Sequence, residues 1–281
     1  MSLDNALLPA ALPQPRARDK VRIVFGVAVL LLLVLVVAVP DLFAAYAPAA
    51  TDLTNTLRTP SAEHLFGTDQ LGRDVFSRVI HGTRISMIVA VGATVLAVSG
   101  GAILGLLAAY AGRWLDAVLM RLVDVLLAFP ELLMALLVVA ILGGGSVNVG
   151  VAIGFAGVAT YARLIRGQAR LILRSEYVES ARTLGVPPRR YLLRHVLPNI
   201  SGPLVVLASI GSGSAIIAGA GLSVLGLGAK PPAVDWGSMI AEGKDYLQDA
   251  WWISVFPGLV VVLVVVAVTM VGRSLQASAV R

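Results

Sequence analysis

The chain has 281 residues, 58% of them hydrophobic and 14% charged, with no cysteine and a formal net charge of +6. That is far more apolar than a soluble domain, so the chain belongs in a membrane, and without cysteine it has neither a disulfide framework nor a thiolate metal site. The positive charge alone would suit nucleic acid, so it has to be read by side of the membrane before any partner is inferred.

In chain order, residues 1–22 are a Pro- and Ala-rich tail in which Arg16, Arg18, Lys20 and Arg22 precede an uncharged run. The reading is a basic cytoplasmic tail and a first transmembrane helix over 23–40. A signal peptide is the rival, but no small-residue cleavage site is followed by a soluble domain. Residues 41–84 are a polar external segment punctuated by Gly67, Gly72 and Gly82, which favours loops and short interfacial helices. Within it Asp69, Arg73, Asp74 and Arg78 recur at spacings that can pair along a short helix.

No charge falls between Ile85 and Gly112, giving a second span in which Gly101 and Gly105 allow close helix contact. A basic loop with Arg113 and Arg121 leads to a third span over 117–142, interrupted by Asp124, Pro130 and Glu131. If the helix runs on, Asp124 and Glu131 share one face, with Pro130 kinking the span. Ionisable groups at membrane depth usually face a bundle interior or an aqueous cavity. Glu131 therefore reads either as a pathway residue or as the structural partner of a polar group on another helix, and Asp124 as a neighbour of Arg121 at the cytoplasmic end. An external turn at 143–148 opens a short fourth span over 147–163. A Gly-, Ser- and Ala-rich fifth runs over 200–229. After an external loop at 230–249 with Pro231, Pro232 and Trp236, Trp251 and Trp252 mark an interfacial belt at the start of the sixth, 250–272; 276–281 form a cytoplasmic tail.

The stretch Glu176 to Asn199 is too regular for a plain connector. Upstream of Gly185, the residues Leu173, Tyr177, Ala181 and Leu184 form an apolar helical stripe, with Arg174, Glu179 and Arg182 on the other face. Gly185 supplies a left-handed helix end, and Pro187 and Pro188 follow where that helix cannot continue. Pro188 opens a second short helix, which Pro198 closes. The expectation is helix, turn, helix outside the bilayer.

Charge tests the topology. With both termini and the loops at 113–121 and 163–199 in the cytoplasm, sixteen of the 22 Lys and Arg lie inside and six outside. Nine of the 16 acidic residues then lie outside, five inside and two within spans, so the basic excess reflects orientation and nucleic acid is not needed to explain it. The chain holds no phosphate loop, H-E-x-x-H or G-x-S-x-G signature, so nothing in it hydrolyses ATP. His64, His81 and His195 have no ligand spacing and read as solvated or capping residues, with no metal.

Glu179-Ser180-Ala181, three residues, Gly185, nine residues and His195-Val196-Leu197-Pro198 resemble the EAA loop of permease subunits of bacterial ABC importers. That family's pattern is E-A-A, three residues, G, nine residues, I-x-L-P, so Ser180 and His195 are the departures. The segments Gly67–Ser86, Arg121–Leu133, Tyr161–Gln168, Arg194–Asn199, Ser223–Gly228 and Trp236–Met239 are similar to the dipeptide and oligopeptide permeases, and more narrowly to their "C" permease, over about residues 60–275.

The resemblance implies an all-α membrane protein of six transmembrane helices, the type I ABC importer transmembrane domain, in the bacterial cytoplasmic membrane. It implies a non-catalytic subunit that pairs with a second permease to carry di- or oligopeptides. ATP and Mg would sit on partner ATPase subunits reached through the loop at 164–199, where Glu179 meets a basic group, Gly185 permits the turn, and Leu197 with Pro198 anchors the return. An external substrate-binding protein would dock on 41–84 and 230–249, with Asp69, Arg73, Asp74 and Trp236 as candidate contacts. The same architecture also serves nickel or other small solutes. An ion-driven secondary transporter would need an ionisable relay, for which only Asp124 and Glu131 are available; a membrane scaffold would leave the Glu-to-Pro spacing of the loop unexplained.

Overall fold

The computed structural model describes residues 17–110 and 112–279, so most of the basic tail, 1–16, and the last two residues lie outside the described residues. Among the described residues the chain is helical, with no strand and one isolated bridge between Thr68 and Asp74. The long helices are α1 (Ala17–Ala38), α2 (Val75–Tyr110), α3 (Arg113–Leu127), α4 (Glu131–Leu142) and α5 (Ser146–Leu173). Two short helices, α6 (Glu176–Thr183) and α7 (Pro188–Tyr191), make a hairpin that leads into α8 (Leu197–Val224). Last come α9 (Trp236–Gly243) and α10 (Trp252–Ala279).

Four helical stretches are long and apolar enough to cross a membrane: α2, α5, the continuous run Leu192–Val224, and α10. The pair α3 and α4 makes a fifth if counted as one span, bent by 92° at its break, while the apolar part of α1, Val24–Ala38, is shorter. Chain direction alternates along the series. One end of the bundle, the hairpin end, carries α6 and α7; the opposite end, the cap end, carries residues 39–74 and 225–251.

The α2–α5 contact is the tightest, and small residues make it so. A Cβ on Gly105 would lie 2.6 Å from the Ala162 carbonyl oxygen, a distance no real Cβ tolerates, so the backbones touch where any side chain would hold them apart. Around this contact Ala90, Ala93, Val149, Ala152, Ile153 and Ile216 form a core shared by α2, α5 and α8.

Several sequence expectations change here. Helix α2 begins at Val75, ten residues before the charge-free run, because Arg78 is buried and ion-paired within it. Helix α5 runs on to Leu173. The third span is not one kinked rod: α3 stops at Leu127 and α4 restarts after Pro130, so Asp124 and Glu131 share no face. Pro198 closes nothing. A wider helical turn over Leu192–Val196 brings the Leu197 N–H to the Leu192 carbonyl, five residues back, and the chain stays helical from Pro188 to Val224 with Pro198 in the first turn of α8. Pro198 has no N–H to donate, and the wide turn immediately before it is where the continuous helix absorbs that missing bond.

Candidate functional site

At the hairpin end, α6 is anchored by one side and displayed by the other. Val178 is fully buried with Leu173, Tyr191, Val196 and Ile200, which hold the two arms together. Gly185 adopts φ +73°, and the Val186 N–H donates to the Ala181 carbonyl at 3.0 Å, the six-to-one bond of a glycine-ended helix. The expected apolar stripe is therefore split: Leu173 is buried and Ala181 half-buried, whereas Tyr177 is exposed and Leu184, at the tip, is 82% exposed.

Glu179, Ser180, Leu197 and Pro198 are exposed, and His195 is half-buried with its ring edge-on to Tyr177 at 5.8 Å. The Ser180 hydroxyl donates to the Glu176 carbonyl at 2.8 Å, a bond the usual alanine cannot make. Glu179 forms no ion pair among the described residues. The first turn of α8 is tied down by Asn199, whose side chain donates to the His195 carbonyl at 2.6 Å.

Inside the bundle a cavity of about 200 Å³ lies between α2, α4, α5 and α8. Its polar lining is Thr94, Glu131, Thr160, Tyr161 and Ser214. Glu131 is the first residue of α4, and its Oε1 is 3.7 Å from where a Cβ on Gly157 would sit. Glu131, Thr160 and Ser214 are exposed, so the cavity opens at the surface of the chain. Asp124 does not reach it; it pairs with Arg163 of α5. Two turns earlier on α3, Asp116 takes Arg166 and Arg170, so α3 is clamped to α5 by three arginines.

The cap end holds the four residues expected to meet a docking partner, and three of them are turned inward. Asp69, 1% exposed, accepts the Arg73 Nε at 2.6 Å, an Arg78 Nη, and the backbone N–H groups of Leu71 and Arg73. Glu242 completes the cluster by taking Arg73 at 2.8 Å and Arg78 at 2.9 Å. Asp74 does not join it: its carboxylate faces His64 Nδ1 at 2.9 Å and accepts the Ser77 N–H at 2.7 Å, capping α2. His64 is thus buried rather than solvated. Trp236, 1% exposed, donates its indole N–H to the Val79 carbonyl, and Trp252, expected in an interfacial belt, is buried and donates to the Thr68 carbonyl. These side chains shape the cap from within; Leu53, Leu65, Leu71, Leu247 and Trp251 are exposed on its surface beside charged residues such as Arg58, Glu63, Lys244 and Asp245. Asp52, also on that surface, has its carboxyl held below the usual carboxylate range by hydrogen bonds from Thr54 and then Asn55.

Sequence spacing gave no hint of Glu242, which lies 164 residues from Arg78. Arg163, Arg166 and Arg170, by contrast, stand at helical spacing, and a basic stripe on α5 was there to be seen.

An all-helical, multi-pass membrane bundle with an open internal cavity and an anchored helical hairpin at one end defines the class of transport permeases. Residues 101–281 match the family described as binding-protein-dependent transport system inner membrane components, and the chain belongs to that family. It is 38% identical to the dipeptide transport system permease protein DppC of Alkalihalophilus pseudofirmus, over 92% of this chain and 85% of that one. It is 39% identical to the probable D,D-dipeptide transport system permease protein DdpC of Escherichia coli, covering 89% and 84%. With the glutathione transport system permease protein GsiD of Pectobacterium atrosepticum it shares 39% identity, covering 92% and 86%. Among solved structures, a chain of the MetNI methionine ABC transporter in inward-facing conformations aligns with a TM-score of 0.60 at 16% identity, over 73% of this chain and 97% of that one, which shows a common fold.

Proposed function

We propose that this chain is one of two permease subunits of an ATP-driven importer that takes up di- or oligopeptides. In this reading α1 completes a set of six spans, the hairpin end and both termini face the cytoplasm, and the cap end faces outward in a bacterial cytoplasmic membrane. The chain itself binds no nucleotide or metal; ATP and Mg belong to partner ATPase subunits, and a substrate-binding protein delivers cargo at the cap. The relatives that match nearly the whole chain are named for peptide, dipeptide and glutathione transport, which supports the peptide cargo.

The observation that carries the coupling role is the hairpin tip. A leucine 82% exposed beside a glycine of positive φ, on a helix whose next face is anchored by buried Val178, is an apolar knob held out for a partner. Burying such a side chain in a cleft contributes about 1.5–3 kcal/mol, or roughly a ten- to hundredfold change in affinity. Glu179, with no ion pair among the described residues, sets register beside it.

The test is ATPase co-purification and hydrolysis stimulated by loaded binding protein, for the complex in lipid. Leu184→Asp is expected to lower recovery of the ATPase at least tenfold. Gly185→Pro, which forbids φ +73°, is expected to leave insertion intact and abolish stimulation. Wild-type recovery and stimulation in both variants would remove the hairpin from the coupling path.

A further inference from the structure

We propose that the Glu131 carboxylate is the counter-charge met by the cationic end of a peptide crossing the cavity between α2, α4, α5 and α8. The inference rests on the transport reading above and adds the chemistry by which the path selects its cargo.

Position comes first. Glu131 lies against Gly157, the twelfth residue of the 28-residue α5. At 1.5 Å per residue that is about 17 Å from the start of the helix, near the middle of a hydrocarbon layer roughly 30 Å thick. A carboxylate at that depth demands compensation. The N-terminus of α4 supplies only about half a positive charge. No Lys, Arg or His lines the cavity, and Glu131 has no ion pair among the described residues. The nearest arginines along α5 are committed elsewhere, Arg163 to Asp124 and Arg166 and Arg170 to Asp116. No described residue of this chain supplies the missing cation.

The rest of the lining fits an ammonium group. Such a group brings three N–H donors and needs three acceptors. The Tyr161 hydroxyl donates to the Leu207 carbonyl at 3.3 Å, which leaves its oxygen free to accept, and the Thr160 and Ser214 hydroxyls stand on the same rim. Ala97, Ile153, Leu164 and Ile210 make up the apolar part of the lining. At about 200 Å³ the space is smaller than a typical small-molecule site of roughly 300–1,000 Å³, as suits one wall of a path completed by a second subunit.

Charge and shape are separated by two variants: Glu131→Gln keeps the size and removes the charge, while Glu131→Asp keeps the charge and shortens the arm. The assay is import into proteoliposomes of the assembled importer, with binding protein saturated by alanyl-lysine or by alanyl-glutamate, and ATP hydrolysis followed in parallel. Glu131→Gln is expected to lower peptide import per ATP at least tenfold with stimulated hydrolysis within twofold of wild type. Glu131→Asp should recover at least half of the import. The wild-type preference for the lysine peptide should fall toward one in Glu131→Gln. Import unchanged in Glu131→Gln, or Asp and Gln equally impaired, would overturn the proposal. So would a loss of import with the lysine preference intact, since the carboxylate would then serve a structural partner. If the wild type imports neither peptide while hydrolysis is stimulated normally, it is the peptide reading that fails, whatever Glu131 does.

Discussion

Asp69 illustrates how much of the cap depends on one side chain. Two carboxylates and two guanidinium groups balance in the cluster of Asp69, Glu242, Arg73 and Arg78, so each charge is matched while all four remain in place. Removing one partner of a buried pair strands the other at a cost of about 3–5 kcal/mol. Asp69→Asn is therefore expected to lower the unfolding temperature in detergent by several degrees or more, read by tryptophan fluorescence, because Trp252 is bonded to neighbouring Thr68. Glu242→Gln, at the more exposed edge of the cluster, should cost less. The sequence identified three of these four residues by spacing along one segment. It could not identify Glu242, since no local periodicity encodes a contact across more than 160 residues.

At the level of elements, the α2–α5 contact is set by the absence of side chains. Gly105→Leu would drive four carbon atoms into the Ala162 backbone, at the upper end of the roughly 1–3 kcal/mol that overpacking costs. We expect it to lower the yield of folded protein and its thermal stability. Gly92→Leu on the same helix, with nothing within 4 Å, is expected to do neither. The small-residue spacing at 101 and 105 was legible in the sequence because it repeats on one helical face. Helix ends were not. An uncharged run measures the apolar layer rather than the helix, and α2 and α5 both extend past it, one through the ion-paired Arg78 and the other through the arginines that clamp α3. Pro130 was a visible kink signal, but a full break is decided by how α4 packs on α5, which no local pattern contains.

Across the whole molecule, the two ends are built differently. The turn glycine, the exposed Glu179 and the helical hairpin were all expected from the spacing at 176–199, and the structure holds them in that arrangement. The cap was harder to read, because polar residues that suggested a docking face are the ones turned inward to build it. In the proposed importer, then, the delivering protein meets a mixed surface in which Leu65, Leu71 and Leu247 stand exposed among charged side chains. Leu65→Asp combined with Leu247→Asp is expected to weaken binding-protein affinity about tenfold or more, measured by titration against the complex in lipid, with the unfolding temperature unchanged because neither side chain is buried.

The two arms of the hairpin differ mechanically. One is jointed, since α5 ends at Leu173 and α6 begins only at Glu176. The other is continuous: from Pro188 the backbone stays helical, through the wide turn at 192–196 and past Pro203, to Val224 at the far end of the bundle. In the proposed importer, a push on the tip would find a break at 174–175 on the first side and an unbroken helical backbone on the second. The unbroken arm carries Leu207, Ile210, Gly211 and Ser214 in the wall of the cavity that Glu131 also lines, so the hairpin and the cavity share one helical run.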